Sequence, residues 1–567
     1  MKFLKVIIPI TVVVALSFWA AKPLFIPGFF PIHDDTQVAR VYEMTKSIKD
    51  GMFPVRWVSD LGYGYGYPIF NFYSPLAYYI GSFFELFGFD ALLATKAMMV
   101  LGILLSGIFM YLLAKEFWGK TGGIVSALLY VYAPFHAVDI YVRGDVSEFW
   151  AYAFIPLALL GFYKIYKTRG SAKWIILGAL GYTGIILSHN LTAMMVTPFI
   201  LIVILFNCYI AIKKKELSAI RYPLYAFVLG LSLSAFYFIP ALLEQRYTNI
   251  LAQIGGGAHF KDHFVCSYQL WQSQWGFGGS APGCIDGASF MIGKIHLIFS
   301  LLATFMTAVF TITKKISIKE EEAVIILFCI VGLLASALLM LSTSEPLWSA
   351  IPLMAFFQFP WRFLLMASFF ASILCGSLLW FMHKAIKNEW AEYLTLAVLV
   401  AVVILSSLKF FIPQTILNKT ANDYTNIQTL RWTTSRISDE YMPKDFPRPT
   451  SEVDIARERV IFNPNDVQIN SKIDKTNAIE LDLDAIRPTK VHFNIAYFPS
   501  WKLSVDGMSQ GSIVNKGYDV SLPSGKHQVE MKFKESNIEK VADLISLAGL
   551  VAIAIGIIRF KKKSKHG

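Results

Sequence analysis

Pro68-Ile-Phe-Asn-Phe-Tyr-Ser-Pro-Leu-Ala-Tyr-Tyr-Ile-Gly-Ser-Phe-Phe-Glu-Leu-Phe-Gly88 is apolar enough to tempt assignment as a membrane crossing. Whether it crosses decides the sidedness of every later helix. If it crossed, the Lys115/Lys120 end of the next apolar run would face outward, and every later basic cluster would be inverted against the positive-inside rule. Its tyrosines, its two prolines and Glu85 instead suit a helix lying in the outer interface. With that choice, Lys164/Lys167/Arg169, Lys213 to Lys215, Lys314/Lys315, Lys384/Lys387 and Lys561 to Lys563 all fall on the cytosolic side.

Composition supports a lipid solvent. Of 567 residues, 55% are hydrophobic and 16% charged, with a mean hydropathy of +0.52. A soluble chain of this length does not hide that much apolar surface, so the chain reads as a polytopic α-helical membrane protein. The 15% aromatic content fits Trp and Tyr crowding both interfaces. The net charge of +12 lies in short clusters between apolar runs, where it reports orientation, and nucleic acid is excluded as a partner.

Met1-Lys-Phe-Leu-Lys5 and the apolar run after it show no small-x-small cleavage site, and they read as a retained anchor with a cytosolic amino terminus. Crossings are expected at residues 4–21, 91–113, 122–134, 149–163, 174–188, 191–212, 222–243, 296–312, 323–342, 363–382, 393–411 and 541–558, about 12 in all. Residues 412–540 are polar. Runs such as Lys490-Val-His-Phe-Asn-Ile-Ala-Tyr497 alternate, and turns fall at Val505-Asp506-Gly507 and Pro523-Ser524-Gly525. This argues for an extracytoplasmic antiparallel β domain, tethered by the final crossing and basic cytosolic tail of residues 541–567. Of five cysteines, Cys208, Cys329 and Cys375 lie in apolar runs and are expected to pack as small hydrophobes. Cys266 and Cys284 share an outer loop, where a disulfide would contribute about 3 kcal/mol by closing a short loop.

Pro31-Ile-His-Asp-Asp-Thr-Gln-Val-Ala-Arg40 follows the first apolar run and sets Asp34 and Asp35 just past the membrane boundary. Adjacent acids there are costly to desolvate, which points to function. The alternative is that one of them caps the following helix, in which Val38, Val41, Tyr42, Thr45 and Ile48 fall at helical spacing. Other ionisable groups on the same face are His33, Arg40, His136, Asp139, Arg143, Asp145, Glu148, His189, Glu244, Arg246 and Arg362. Arginines and carboxylates at that depth suit a lipid phosphate carrying a group to be transferred. Arg binds phosphate oxygens bidentately and stays charged when partly buried. A carboxylate within reach of an acceptor hydroxyl can act as general base, and Arg143 and Arg362 would stabilise charge on the leaving phosphate. Against this, Arg362 could only anchor its helix, Arg143 could pair structurally with Asp145, and His189 could be a capping or core residue. Their gathering on one face favours chemistry. No set of side chains shows metal-ligand spacing, although His33, Asp34 and Asp35 could hold a divalent cation. With no P-loop, no GxSxG elbow and no nucleotide fold, activated sugar would have to arrive attached to lipid.

The acidic pair after the first crossing, the interfacial Tyr73-Ser-Pro-Leu-Ala-Tyr-Tyr79 helix and the second acidic element resemble the GT-C glycosyltransferases, which include protein mannosyltransferases, oligosaccharyltransferases and the aminoarabinose transferase of lipid A. Gly62-Tyr-Gly-Tyr-Gly-Tyr-Pro68, Asn71-Phe-Tyr-Ser-Pro75, Arg143-Gly-Asp145, Ser188-His-Asn190 and Pro360-Trp-Arg362 are similar to prokaryotic membrane proteins labelled "6-pyruvoyl-tetrahydropterin synthase related". The resemblance covers about residues 1–411 and implies a GT-C-like membrane domain there, with outer interfacial helices in 23–90. It further implies an inverting transfer on the outer face, from a polyprenyl-phosphate-linked sugar to an envelope glycan, lipid or protein. Asp34 or Asp35 would match the base, Asp145 and Glu148 the second acidic motif, and Arg143, His189, Arg362 and His33 would line the phosphate. The motif reads His-Asp-Asp, not Asp-x-Asp or Glu-x-Asp, so either acid stands as the base. Two competing readings remain. A flippase for lipid-linked saccharide would carry ionisable groups near the midplane. A non-catalytic envelope scaffold would tolerate loss of both acids.

Overall fold

The computed structural model describes residues 4–250, 258–514 and 516–565. The Met1-Lys-Phe start of the anchor and the side chains of Lys561 to Lys563 lie outside what is described. Among the described residues, ten helices are long and apolar enough to cross a membrane. One of them, Ala91–Val131, would run about 60 Å if straight, twice the hydrocarbon thickness. It bends back at Gly119 (φ 70°). Gly107 lies against Val131 and Gly123 against Lys115, so its two halves run antiparallel as a hairpin. A further apolar helix, Ala172–Ser188, is shorter and packs on Val146–Lys167. Small residues (Gly161 with Gly178, Ala158 with Gly181) let these two backbones approach closely. With the hairpin counted as two, all twelve apolar runs are helical. The protein is a polytopic α-helical membrane protein with a β-rich carboxy-terminal portion.

Taken in chain order, the helices place short, basic connections at one end of the bundle and every long loop at the other. The second apolar candidate is too short, as folded, to span a bilayer. Its residues form the turn Ile69–Phe72 and the eleven-residue helix Leu76–Leu86, about 16 Å long, which packs on Gln37–Lys49 and on Ala91–Val131. At the centre of the bundle, Val146–Lys167 and Leu364–Ile386 are enclosed by other helices, whereas Glu389–Ser407 shows most of its side chains to the surroundings. The two enclosed helices begin at the end that carries the long loops.

The β portion consists of two antiparallel sheets. The five-stranded sheet runs Val467–Lys475, Ala478–Ala485, Gly525–Phe533, Trp501–Val505, Met508–Ser509 in spatial order. The four-stranded sheet runs Val460–Ile461, Thr489–Phe493, Gly517–Leu522, Ser512–Val514. Asp506 and Gly507, both at positive φ (52° and 81°), make the two-residue turn after Val505. Ahead of the strands, residues 412–459 are mostly irregular and lie over the loops of the membrane portion, with Leu417 paired to Phe29.

The glycine-tyrosine loop is where the β portion docks. Ala456 N donates to Tyr63 O at 3.0 Å and Ala496 N to Tyr65 O at 2.7 Å. Trp57 is fully buried, edge-on to Trp501 at 5.6 Å. Gly66 sits at φ 81°, and a Cβ there would come within 2.5 Å of the Trp57 ring. Gly66→Ala is therefore expected to cost about 2–4 kcal/mol, from the strained backbone and the overpacked indole together. The check is thermal unfolding in detergent with limited proteolysis. The expected result is release of the β portion at a temperature that leaves the helical bundle uncut.

Candidate active site

At the loop-bearing end of the bundle, the hairpin continues through Pro134–Val138 into a single π-helical turn, Asp139–Arg143. Gly144 ends that turn in the left-handed region (φ 68°), and a Cβ there would meet Ile32 at 2.4 Å. Asp145 then caps the enclosed helix Val146–Lys167, its Oδ1 accepting from Glu148 N at 3.0 Å. Neither Asp34 nor Asp35 caps the helix that follows them, since the residue before Gln37–Lys49 is Thr36, whose side chain makes no cap bond.

The His-Asp-Asp turn is strapped onto this π turn by its backbone. His33 N donates to Val142 O at 3.1 Å and Asp34 N to Arg143 O at 2.9 Å. Gln37 secures the strap, its Nε2 donating to Gly144 O at 2.8 Å and to Asp34 O at 3.1 Å. Tyr78 of the short interfacial helix donates to Gln37 Oε1 at 2.7 Å. The buried Arg40 donates from Nη1 to Tyr78 Oη at 3.1 Å and from Nη2 to Ser438 Oγ at 2.8 Å. Gln37 and Tyr78 were not singled out in the sequence, because a glutamine inside a helix and a tyrosine in an apolar run carry no signature of their own.

Two guanidiniums converge on the acids. Arg143 donates to Asp139, to Glu148 Oε2 at 2.8 Å and to Asp145 Oδ2 at 2.9 Å. Arg362 donates to the same Glu148 Oε2 at 2.6 Å and lies 3.8 Å from Asp145 Oδ2. Trp361 offers its ring to both, 4.9 Å from Arg143 and 5.9 Å from Arg362. Glu148 is wholly buried, and its Oε1 has no hydrogen-bond partner. His189, half-buried, bonds through Nδ1 to Thr192 Oγ1 at 2.8 Å.

Electrostatics sort the carboxyls. Burial opposes a charge on Asp145, but Arg143 and Arg362 hold its carboxyl below the usual carboxylate range. Burial and then Glu148 push Asp139 up, against the pull of the adjoining Arg143. Burial and the nearby Asp145 push Asp34 up to about 6, against the pull of Arg143, Arg40 and Arg362. Asp35 is also pushed to about 6 by burial, but the cation acting on it is Lys419. No hydrogen bond reaches either carboxylate among the described residues, and of the two only Asp34 shares the field of the cluster. His33 is exposed and turns Nε2 to Phe277 O at 2.9 Å, bracing the strap at the edge of the cluster. Burial lowers His189, which leaves a neutral imidazole.

The side chains that the fold brings to cation-ligating distance are Asp145, Glu148 and His189, whose donor atoms lie within 4.8 Å of one another. They differ from the His33, Asp34 and Asp35 set considered in the sequence. A ligand 41 residues from its partners leaves no spacing to read. The chemistry of the set fits a divalent cation, with two carboxylates, one of them holding a free buried oxygen, and a neutral imidazole whose other nitrogen is oriented by Thr192.

A family model described as "6-pyruvoyl-tetrahydropterin synthase related domain; membrane protein" matches residues 70–412, more than half of the chain. The chain belongs to that family. The matched range contains Arg143, Asp145, Glu148, His189 and Arg362, and leaves out the His-Asp-Asp turn and the β sheets. An uncharacterized protein of Lactococcus lactis subsp. cremoris (strain MG1363) is 26% identical over 249 residues, 42% of this chain and 40% of that protein. Among solved structures, the crystal structure of the Archaeoglobus fulgidus oligosaccharyltransferase complex with Zn and sulfate is 14% identical with a TM-score of 0.39, covering 79% of this chain and 58% of that one. The chain thus spans less than two thirds of either protein, and the structural overlap is too loose to carry residue roles across.

Because both guanidiniums share one buried oxygen, removing either partner leaves charge uncompensated. Arg362→Met is expected to cost about 3–5 kcal/mol, and Glu148→Gln in the same chain should recover most of that. Thermal unfolding of the two single variants and the double variant checks the pairing.

Proposed function

We propose that the protein is a membrane glycosyltransferase of the GT-C kind. It moves a sugar from a polyprenyl-phosphate-linked donor to a hydroxyl of an envelope glycan, lipid or protein acceptor, with inversion and with Asp34 as general base. The observation that carries this reading is the Asp34 carboxyl. Among the described residues it accepts no hydrogen bond, and the Asp34 backbone is held by the π turn that carries the carboxylate–arginine cluster. Support for the outer face, with both termini cytosolic, comes from the short basic connections gathered at the opposite end of the bundle.

In this mechanism the acceptor hydroxyl gives its proton to the Asp34 carboxylate as its oxygen bonds to the anomeric carbon. The bond from that carbon to the carrier phosphate breaks, and its electron pair leaves with the phosphate. Attack from the face opposite the leaving group inverts the centre. Arg143 and Arg362 draw the charge that grows on the phosphate, with Trp361 stacked against both. A divalent cation at Asp145, Glu148 and His189 would neutralise part of the same charge. Burial keeps Asp34 poised near neutrality, where a base is both ionised and able to take a proton. The flippase reading finds less support, since the cluster lies at the helix ends and not at midspan.

The test compares envelope glycans by mass spectrometry in a strain lacking the protein and complemented with wild type, Asp34→Asn or Asp35→Asn at equal membrane abundance. One sugar increment should return with wild type and with Asp35→Asn but not with Asp34→Asn. Full restoration by both variants would make the acids structural and favour the scaffold reading. With purified protein, kcat/KM should rise with pH through about 6, as the raised Asp34 carboxyl loses its proton, and then level off. Chelator treatment should lower turnover, and added divalent cation should restore it.

A further inference from the structure

Between the loop of residues 268–296 and the end of Glu389–Ser407 lies a cleft of about 1080 Å³. Trp275 of its lining packs, with Phe277, on Val138, Val142 and Ala288, and so reaches the apolar side of the turn that carries Asp139 and Arg143. The loop that walls it is closed by a disulfide between Cys266 and Cys284, their Cα atoms 5.6 Å apart, with Tyr268 Oη donating to Cys284 O at 3.2 Å. Asp286 holds the loop from inside, accepting from Gln269 Nε2 at 2.7 Å, Ser273 Oγ at 2.6 Å and Gln274 N at 3.1 Å. The cleft is a braced cavity.

Its lining is aromatic and cationic. Tyr268 and Trp271 are 57% and 43% exposed, and Trp275 leans on Phe410 with ring centroids 5.0 Å apart. Two exposed lysines share the opening. Lys294 donates to Gln272 Oε1 at 3.0 Å and lies over the Trp271 ring, and Lys409 rides over Phe410 at 5.1 Å. Among the described residues no carboxylate pairs with either lysine, because Asp286 is spent on its own loop. Neither lysine serves the membrane orientation. Lys294 opens a helix whose far end leads to Lys314 and Lys315, and Lys409 follows a helix whose far end is preceded by Lys384 and Lys387. Both therefore lie on the side opposite the basic clusters, where the positive-inside rule gives them no role.

Aromatic faces receive the C–H faces of sugar rings, an amide such as Gln272 meets hydroxyls, and unpaired ammonium groups meet carboxylate or phosphate. The volume stands just above the roughly 300–1,000 Å³ of pockets that bury drug-sized ligands, room for more than one ring. We propose that this cleft is a binding site for an acidic saccharide, separate from the carboxylate–arginine cluster and independent of whether that cluster transfers sugar.

The test uses the full chain in phosphatidylcholine nanodiscs and a fluorescently labelled hexagalacturonate, read by anisotropy, with unlabelled maltohexaose as the neutral competitor. Saturable binding is expected, with maltohexaose competing at least roughly tenfold more weakly than unlabelled hexagalacturonate. The double variant Lys294→Gln/Lys409→Gln and the single variant Trp271→Ala should each raise Kd by roughly tenfold or more. Lys294→Arg/Lys409→Arg should keep binding, and Asp34→Asn should bind as wild type does. Absence of saturable binding, equal competition by maltohexaose, or a double Gln variant that binds like wild type would each overturn the proposal. In the last case the lysines would be interfacial anchors.

Discussion

Glu148 is a carboxylate with no exposed surface, one oxygen shared by two guanidiniums and the other left bare. In a low-dielectric interior that arrangement persists only if both arginines are delivered to within hydrogen-bonding distance. Delivery constrains a large part of the molecule. Arg143 has to end a π turn, Gly144 has to adopt a left-handed conformation against Ile32, and Asp145 has to cap the enclosed helix. Arg362 has to stand at the start of the second enclosed helix, with Trp361 between the cations. The two most enclosed helices of the bundle thus begin at the same ionic knot.

How much of this was open to reading from residues alone depended on distance along the chain. The crossings were legible because a bilayer imposes its thickness on each apolar run separately, and the basic connections fix their alternation. The non-crossing character of Leu76–Leu86 followed from the same alternation. The gathering of Asp34, Arg143, Asp145, Glu148 and Arg362 was legible as a shared face. Their pairing was not, since it is set by a π turn that no local pattern announces. The partnership of His189 with Asp145 and Glu148 was likewise hidden, because the helices Val146–Lys167 and Ala172–Ser188 lie between them in the chain. The turn at Asp506-Gly507 stood out because its chemistry is local. The role of the glycine-tyrosine loop did not, since Gly66 is required by an indole nine residues upstream that itself packs on a strand more than 400 residues away.

The two faces of the π turn have opposite chemistry. One side carries Asp139 and Arg143 into the knot, and the other carries Val138 and Val142 onto Trp275 and Phe277. His33 spans the edge between them by bonding Phe277 O while its backbone holds Val142. A displacement of the disulfide-closed loop would therefore be felt at the strap that presents Asp34.

The hydrogen bond from Arg40 to Ser438 has a consequence for biosynthesis. Helix Gln37–Lys49, next to the acid turn, leaves the ribosome long before part of its own anchorage. One of the two partners of its buried guanidinium lies almost 400 residues later, and Leu417, which pairs with Phe29, arrives only shortly before it. Until those residues are made, the acid turn is held from one side only. The nascent bundle is thus inserted with its acidic strap incomplete, and the anchorage around the acid turn closes only after the segment that follows Glu389–Ser407 has been made.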